Sequence, residues 1–298
     1  MTKQAHLLLE RKQHAVLNAV ALAFLPYTLW LSAAIIALVT LRKGVRAGGF
    51  LLGIVGSASF GLSLISTSAS IALVNVLTTF LPCFIAASVL RMTVSWRAVA
   101  GVCLLQVLFV ALLLQILMPD LVMAQYLYLQ AALREVQADS SLLTYIVDKI
   151  GSDQMLIASY FLGLQSVGVI FSALLSLMSA RSMQSFLFFP GEFRREMLSF
   201  RAEKIGLGLW VILIYAASQH SLIAASILPL FMLYFMLAGL SLILTVFGKQ
   251  KSLILIPILL LTFLFLPFIM LPIYVLFGSL DSLINFRMYL PSDAGKTI

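Results

Sequence analysis

The sequence predicts an all-α, polytopic transmembrane helical bundle of about eight spans (seven to nine), with Pro-broken first and last helices. Three observations predict it. First, of 298 residues 62% are apolar and only 10% are charged, and the mean hydropathy is +1.10. A soluble domain carries roughly 25% charged residues. A chain this apolar cannot cover itself with a polar surface, so lipid serves as its solvent. Second, apolar runs recur at about the 20 residues a helix needs to cross the hydrocarbon core. Third, the basic residues sit between those runs, where they orient spans and meet anionic headgroups. The net charge of +8 therefore points to the lipid bilayer as partner and not to nucleic acid. No long polar segment is left for a second domain, so residues 1–298 read as one membrane domain.

The clear spans are 48–66, 70–90, 98–118, 155–179, 205–219, 222–247 and 253–271. The run 205–219 is short and crosses if Lys204 snorkels. The run 15–41 holds Pro26, and the tail holds Pro257, Pro267 and Pro272. Proline removes a backbone donor and crowds the preceding turn, so breaks or kinks are expected there. The first run is too long for a cleavable leader and lacks a small-residue cleavage site.

Charge sets the expected sidedness. Residues 42–46 hold three bases, 91–97 hold two, 181–204 hold five, and Lys249 and Lys251 form another basic turn. Under strict alternation all four lie on one side, which is read as cytoplasmic. Residues 119–154, with five acids and two bases, lie opposite as an extracytoplasmic helical segment. Lys3, Arg11 and Lys12 also favour the cytoplasm. Two short helices broken at Pro26, dipping in and returning, would place both ends there. The expected location is a bacterial inner (cytoplasmic) membrane, multi-pass, with a cytoplasmic N-terminus.

Two segments read as helices that do not cross. One starts at Pro119, capped by Asp120, and runs to about Gln137, with a second following from Asp139 to Gly151. The other is a cytoplasmic amphipathic elbow within 181–204. After the Pro190-Gly191 turn a helix is expected over Glu192–Lys204, in which Phe193, Met197 and Phe200 share a face, while Arg194, Arg195 and Arg201 point elsewhere.

Candidate chemistry is sparse. No Asp, Glu, Lys or Arg occurs in 47–90, 98–119, 154–180, 205–248 or 252–280. Intramembrane charges mark proton relays and ion sites, so their absence argues against a proton-coupled pump. No His-Glu-x-x-His zinc pair, facing acid pair or Gly-x-x-x-x-Gly-Lys loop is present, so no catalytic, metal or cofactor site is assigned. Cys83 and Cys103 fall inside spans and read as small buried apolar residues. His220 in a short outer turn leaves a serine–histidine enzyme open, with no marked nucleophile.

Four groups remain. The uncharged polar residues Asn75, Thr78, Thr79, Gln106 and Gln165 either bond between helices or line a pocket for a neutral ligand. The small residues Ala15, Ala19 and Ala23 form an i, i+4, i+8 stripe, and Gly49 and Gly53 permit close approach. Both sets serve internal packing or the docking of a partner helix, and the glycines alternatively form a hinge or a cavity wall. Asp281, Asn285 and Arg287 form a local polar cluster, with Asp281 and Asn285 on one helical face, read as a solvated helix end or a lock on the last helix. Phe193, Arg194, Arg195 and Arg201 form the elbow.

Three stretches together resemble a family. They are Leu41-Arg-Lys-Gly-Val-Arg-Ala-Gly48, the Pro190-Gly191-Glu192 elbow and Asp281-Ser-Leu-Ile-Asn-Phe-Arg287. They look like the YybS-like family of bacterial multi-pass membrane proteins, over about a tenth of the chain. The first apolar region is shorter than in that family. The arrangement is also similar to substrate-capturing subunits of energy-coupling-factor transporters, which dock a partner through a small-residue stripe on helix 1. That resemblance implies Ala15, Ala19 and Ala23 as the stripe. The expected function is the binding or movement of a small, uncharged or lipid-like ligand together with partner proteins. The alternatives are a non-transporting scaffold and, more weakly, a lipid-modifying enzyme.

Overall fold

The computed structural model describes residues 12–25, 27–136, 154–249 and 267–289. In chain order these form α1 (Lys12–Phe24), α2 (Leu29–Lys43), α3 (Val45–Ser63), α4 (Ala69–Thr93), α5 (Trp96–Leu117) and α6 (Pro119–Val136). Then come α7 (Gln154–Phe188), α8 (Glu192–Ser199), α9 (Lys204–Ser218), α10 (Leu222–Lys249), α11 (Pro267–Leu283) and a 3-10 turn, Phe286–Tyr289. No strand occurs among the described residues.

Five helices are long and apolar enough to cross a membrane: α3, α4, α5, α7 and α10. The expected eight is therefore matched at five positions among the described residues. The run 205–219 is the 15-residue α9. The run 253–271 lies largely outside the described residues, as do Pro26, Pro257 and the expected helix at 139–151. Of the break or kink expected at Pro272, the break is corrected: α11 continues through it. Its missing donor falls in the second turn, so one helical bond is lost and the remainder hold. Pro82 and Pro229 likewise sit inside α4 and α10.

The chain falls into two compact units, 1–107 with 165–195, and 108–164 with 196–298. The division passes through α5, α7 and α8. In the first unit, α2 is the core element. Nine consecutive or near-consecutive residues from Ser32 to Leu41 are buried, as expected of a helix that is apolar all round. α1 and α2 form a hairpin, joined where Thr28 donates through Oγ1 to the carbonyls of Leu22 and Leu25 at 2.5 and 3.1 Å. Ser32 Oγ donates to the Ala19 carbonyl at 2.8 Å. On α3 the close approach falls at Gly48, where a Cβ would collide with Thr40.

In the second unit, α10 is the most enclosed of the long helices, with 61% of its apolar window buried. It crosses α11 at paired glycines. A Cβ on Gly239 would strike the Tyr274 carbonyl, and one on Gly278 the Phe235 carbonyl. Such backbone contact between helices requires that neither carry a side chain there. α6 packs Val122 and Tyr126 onto Ala158 and Leu162 of α7. Gln115 of α5 donates to Ser226 Oγ at 2.7 Å and to the Leu222 carbonyl at 3.1 Å, and Ser226 Oγ donates to the Ser159 carbonyl at 2.9 Å. α9 differs from all of these, since none of its residues is buried.

Candidate functional site

Two places concentrate features beyond helix packing, one in each unit. In the second unit they are polar. Asp281 is fully buried near the end of α11, and two guanidinium groups converge on it. Arg287 Nε lies 3.4 Å and Arg201 Nε 3.8 Å from Oδ2. These are ionic contacts without hydrogen-bond geometry: both Asp281 oxygens, Asn285 Oδ1 and Arg287 Nε are buried with no hydrogen-bond partner.

The arginines direct their hydrogen bonds to backbone instead. Arg201 donates to the Asp281 carbonyl at 2.7 Å and to the Ser282 carbonyl at 3.2 Å. Arg287 donates to the carbonyls of Leu198 and Phe200, the latter at 2.6 Å, and to Ser241 Oγ at 3.2 Å. Ser241 and Thr245 of α10 donate to the carbonyls of Met197 and Leu198 at 2.6 and 3.0 Å. The last carbonyls of a helix lack intrahelical partners. Here each arginine satisfies those of one helix, α8 or α11. Burial pushes the Arg287 guanidinium below its ordinary range, the Asp281 charge opposes that, and the Arg201 charge adds to it.

This arrangement corrects two sequence expectations. The helix from Glu192 was expected to run to Lys204, but α8 stops at Ser199. Side-chain donors hold the freed carbonyls in place of the next helical turn. Asp281 and Asn285 were expected on one helical face, but α11 ends at Leu283 and leaves Asn285 outside it. Arg201 was placed in the elbow and proves to belong with Asp281, 80 residues away. No local spacing could have joined them. The one usable signal was that a buried acid requires a cation.

Of the remaining elbow residues, Arg194 and Arg195 are exposed and Phe193 is half-buried. Gly191 supplies the turn at φ 88°, a backbone region that side-chain-bearing residues rarely adopt. Phe193 N–H donates to Ser185 Oγ at 3.0 Å.

In the first unit the feature is a partly open apolar groove of about 310 Å³ between α3 and α4. Leu52, Gly53, Gly56, Ser57 and Phe60 form one wall, and Leu73, Val76, Leu77 and Leu81 the other. Glycine and serine on α3 leave the space that the larger side chains of α4 border. Ser57 Oγ donates to its own Ile54 carbonyl at 3.0 Å, so no charge and no unsatisfied hydroxyl faces an occupant.

The residues expected to line a pocket are elsewhere. None of Asn75, Thr78, Thr79, Gln106 and Gln165 lines the groove. Thr78 and Thr79 bond back to the carbonyls of Val74 and Asn75 at 2.8 and 2.7 Å. Asn75 and Gln165 are exposed, and Gln106 is half-buried with an unpartnered Nε2. Ala15, Ala19 and Ala23 are buried inside the first unit. A Cβ on Gly49 would make only ordinary contact with Phe84, and one on Gly53 would meet nothing. These two glycines therefore mark no helix crossing within the unit, and Gly53 instead opens the groove.

His220 occupies the α9–α10 turn at φ 60°, and His6 lies outside the described residues. Among the described residues no group of three or more His, Cys, Asp or Glu side chains could hold a metal ion. Cys83 and Cys103 are buried free thiols. No protein-family model matches the chain, and no curated protein or solved structure is significantly similar to it.

Proposed function

We propose that the chain is a multi-pass bacterial inner-membrane protein that binds or moves a small, uncharged, lipid-like molecule with the help of partner proteins. The observation that carries this reading is the α3–α4 groove. Its volume, about 310 Å³, is at the small end of ligand pockets, which span roughly 300–1,000 Å³. Its walls suit a hydrocarbon chain. The nearby turn between α3 and α4 offers only hydroxyls, including Ser66, Thr67 and Ser68, which suit an uncharged polar head. The competing reading is a non-transporting scaffold acting through the exposed elbow arginines. The resemblance to YybS-like proteins is compatible with either.

The test is extraction in native lipid followed by mass spectrometry. The wild type should retain a stoichiometric neutral lipid. Gly53→Trp should lower its occupancy at least roughly tenfold by filling the groove, an effect of about 1.4 kcal/mol or more. Gly168→Trp, placed where a glycine Cβ meets nothing, should leave occupancy unchanged. Equal occupancy in Gly53→Trp would overturn the groove assignment. A co-purifying protein in place of any small molecule would favour the scaffold.

The α1–α2 hairpin supports a cytoplasmic N-terminus. A hairpin returns the chain to the side it left, and basic residues stand at both its ends, Lys12 and Arg42-Lys43. A cysteine introduced at position 3 should react with an impermeant thiol reagent only after the membrane is opened. Labelling of intact cells or spheroplasts from the periplasmic side would rule this topology out.

A further inference from the structure

The first unit gathers its described charges at one end of its helices: the start of α1, the end of α2, the start of α3, the end of α4, the start of α5, the last turns of α7 and the first turns of α8. Internal contacts tie these ends together. Arg91 donates to the Leu41 carbonyl at 2.6 Å, the Arg42 guanidinium lies 4.0 Å from the Phe188 ring centre, and Arg181 meets Glu192 at 3.4 Å. Glu192 is the only acid among the described residues of this unit, and it is already paired.

Arg46, Arg194 and Arg195 stand apart from these inward contacts, with exposed side chains. They are accompanied by exposed apolar residues: Phe186 is 68%, Phe189 49% and Met92 70% exposed. Exposed aromatic and aliphatic side chains beside unpaired cations characterise a surface lying at the headgroup boundary, apolar parts in the acyl region and charges at the phosphates. An acidic protein surface would complement the cations but would leave both phenylalanines against charge.

We propose that this end of the first unit binds anionic phospholipid headgroups, with Arg46, Arg194 and Arg195 as the phosphate-contacting residues. Planar guanidinium groups suit this task, since each can offer two parallel donors to one phosphate. The surface is separate from the α3–α4 groove, so the proposal stands whether or not that groove holds a ligand.

The full chain is to be reconstituted in nanodiscs of phosphatidylcholine containing one-tenth phosphatidylglycerol, and the lipids retained on gentle release counted by native mass spectrometry. The wild type should enrich phosphatidylglycerol, and the enrichment should fall in 0.5 M salt. Near a charged headgroup each base contributes roughly a fivefold preference. Arg46→Gln, Arg194→Gln and Arg195→Gln should each lower the enrichment by up to about that factor, and the triple variant should abolish it. Equal enrichment in wild type and triple variant would overturn the proposal. So would wild-type enrichment that is insensitive to salt, a reading that does not depend on any variant folding. Loss of a bound acidic protein in the triple variant, with phosphatidylglycerol enrichment intact, would also overturn it.

Discussion

Asp281→Ala is expected to destabilise the second unit by about 3–5 kcal/mol, the range found when one member of a buried ion pair is removed. The carboxylate is fully buried and is the only acid contacting the two arginines at 3.4 and 3.8 Å among the described ion pairs. Without it two cations remain in a partly desolvated pocket facing each other's charge. Asp281→Asn keeps the shape and removes the charge, and should lose nearly as much. The measurement is thermal unfolding of the purified protein in detergent. Unchanged midpoints for both variants would exclude a locking role.

A compensating variant refines this expectation. Replacing a whole buried ion-pair group with apolar residues is often neutral or stabilising. Here Asp281→Leu with Arg201→Met and Arg287→Met should remain destabilised. The arginines also hold the carbonyls of Phe200, Asp281 and Ser282, while the Leu198 carbonyl keeps its bond from Thr245. Buried acceptors left without donors cost about 1–3 kcal/mol each. Full recovery in the triple variant would mean that the charges alone matter and that those backbone bonds contribute nothing.

Gly239→Ala and Gly278→Ala should each destabilise by at least about 3 kcal/mol, at or above the usual range for overpacking. The obstructing atoms are backbone carbonyls of the facing helix, at Tyr274 and Phe235. A flexible side chain could swing aside, but a carbonyl inside a helix can move only with the helix. Gly168→Ala and Gly208→Ala supply the opposite sign. A Cβ meets nothing at either position, and alanine is the better helix former by about 0.8–1.0 kcal/mol. Unfolding midpoints should therefore fall for the first pair and hold or rise for the second. Similar small effects at all four positions would contradict the close crossing of α10 and α11.

What was legible in the sequence follows how local each signal is. Hydropathy placed α5 at 98–118, and the helix runs Trp96–Leu117. The start of α6 was read to within a residue, but its cap was not: the helix begins at Pro119, where proline is tolerated, and the expected cap Asp120 lies inside the first turn. Pairings between distant residues were not readable. Gly239 and Gly278 lie in different apolar runs and form no Gly-x-x-x-Gly motif, so nothing local joins them. In the visible small-residue pattern Gly53 instead borders open space, and Gly49 makes only ordinary contact with Phe84. The pocket reading of Thr78 and Thr79 left out a local alternative. A threonine inside a helix can satisfy its hydroxyl on the carbonyl four residues back, as Thr78 and Thr79 do. An uncharged polar residue in an apolar run therefore needs no ligand. Arg194 and Arg195, read as lying off the apolar face, are exposed. Arg201 is drawn to Asp281, a partner that became apparent only when α11 was set beside the 200–203 segment.

The unburied helix α9 has a consequence for the surroundings of the protein. At 1.5 Å per residue its 15 residues extend about 22 Å, against a hydrocarbon layer of roughly 30 Å. Its side chains Leu209, Val211, Ile212, Ile214 and Tyr215 are all exposed, so as a span α9 would present them to acyl chains along its length. Lipids bordering such a span would shorten or tilt to meet its ends, and each ångström of mismatch would carry a fraction of a kcal/mol. In that placement the helix would act as a local thinning element, favouring short-chain or unsaturated lipid over a thick, ordered bilayer.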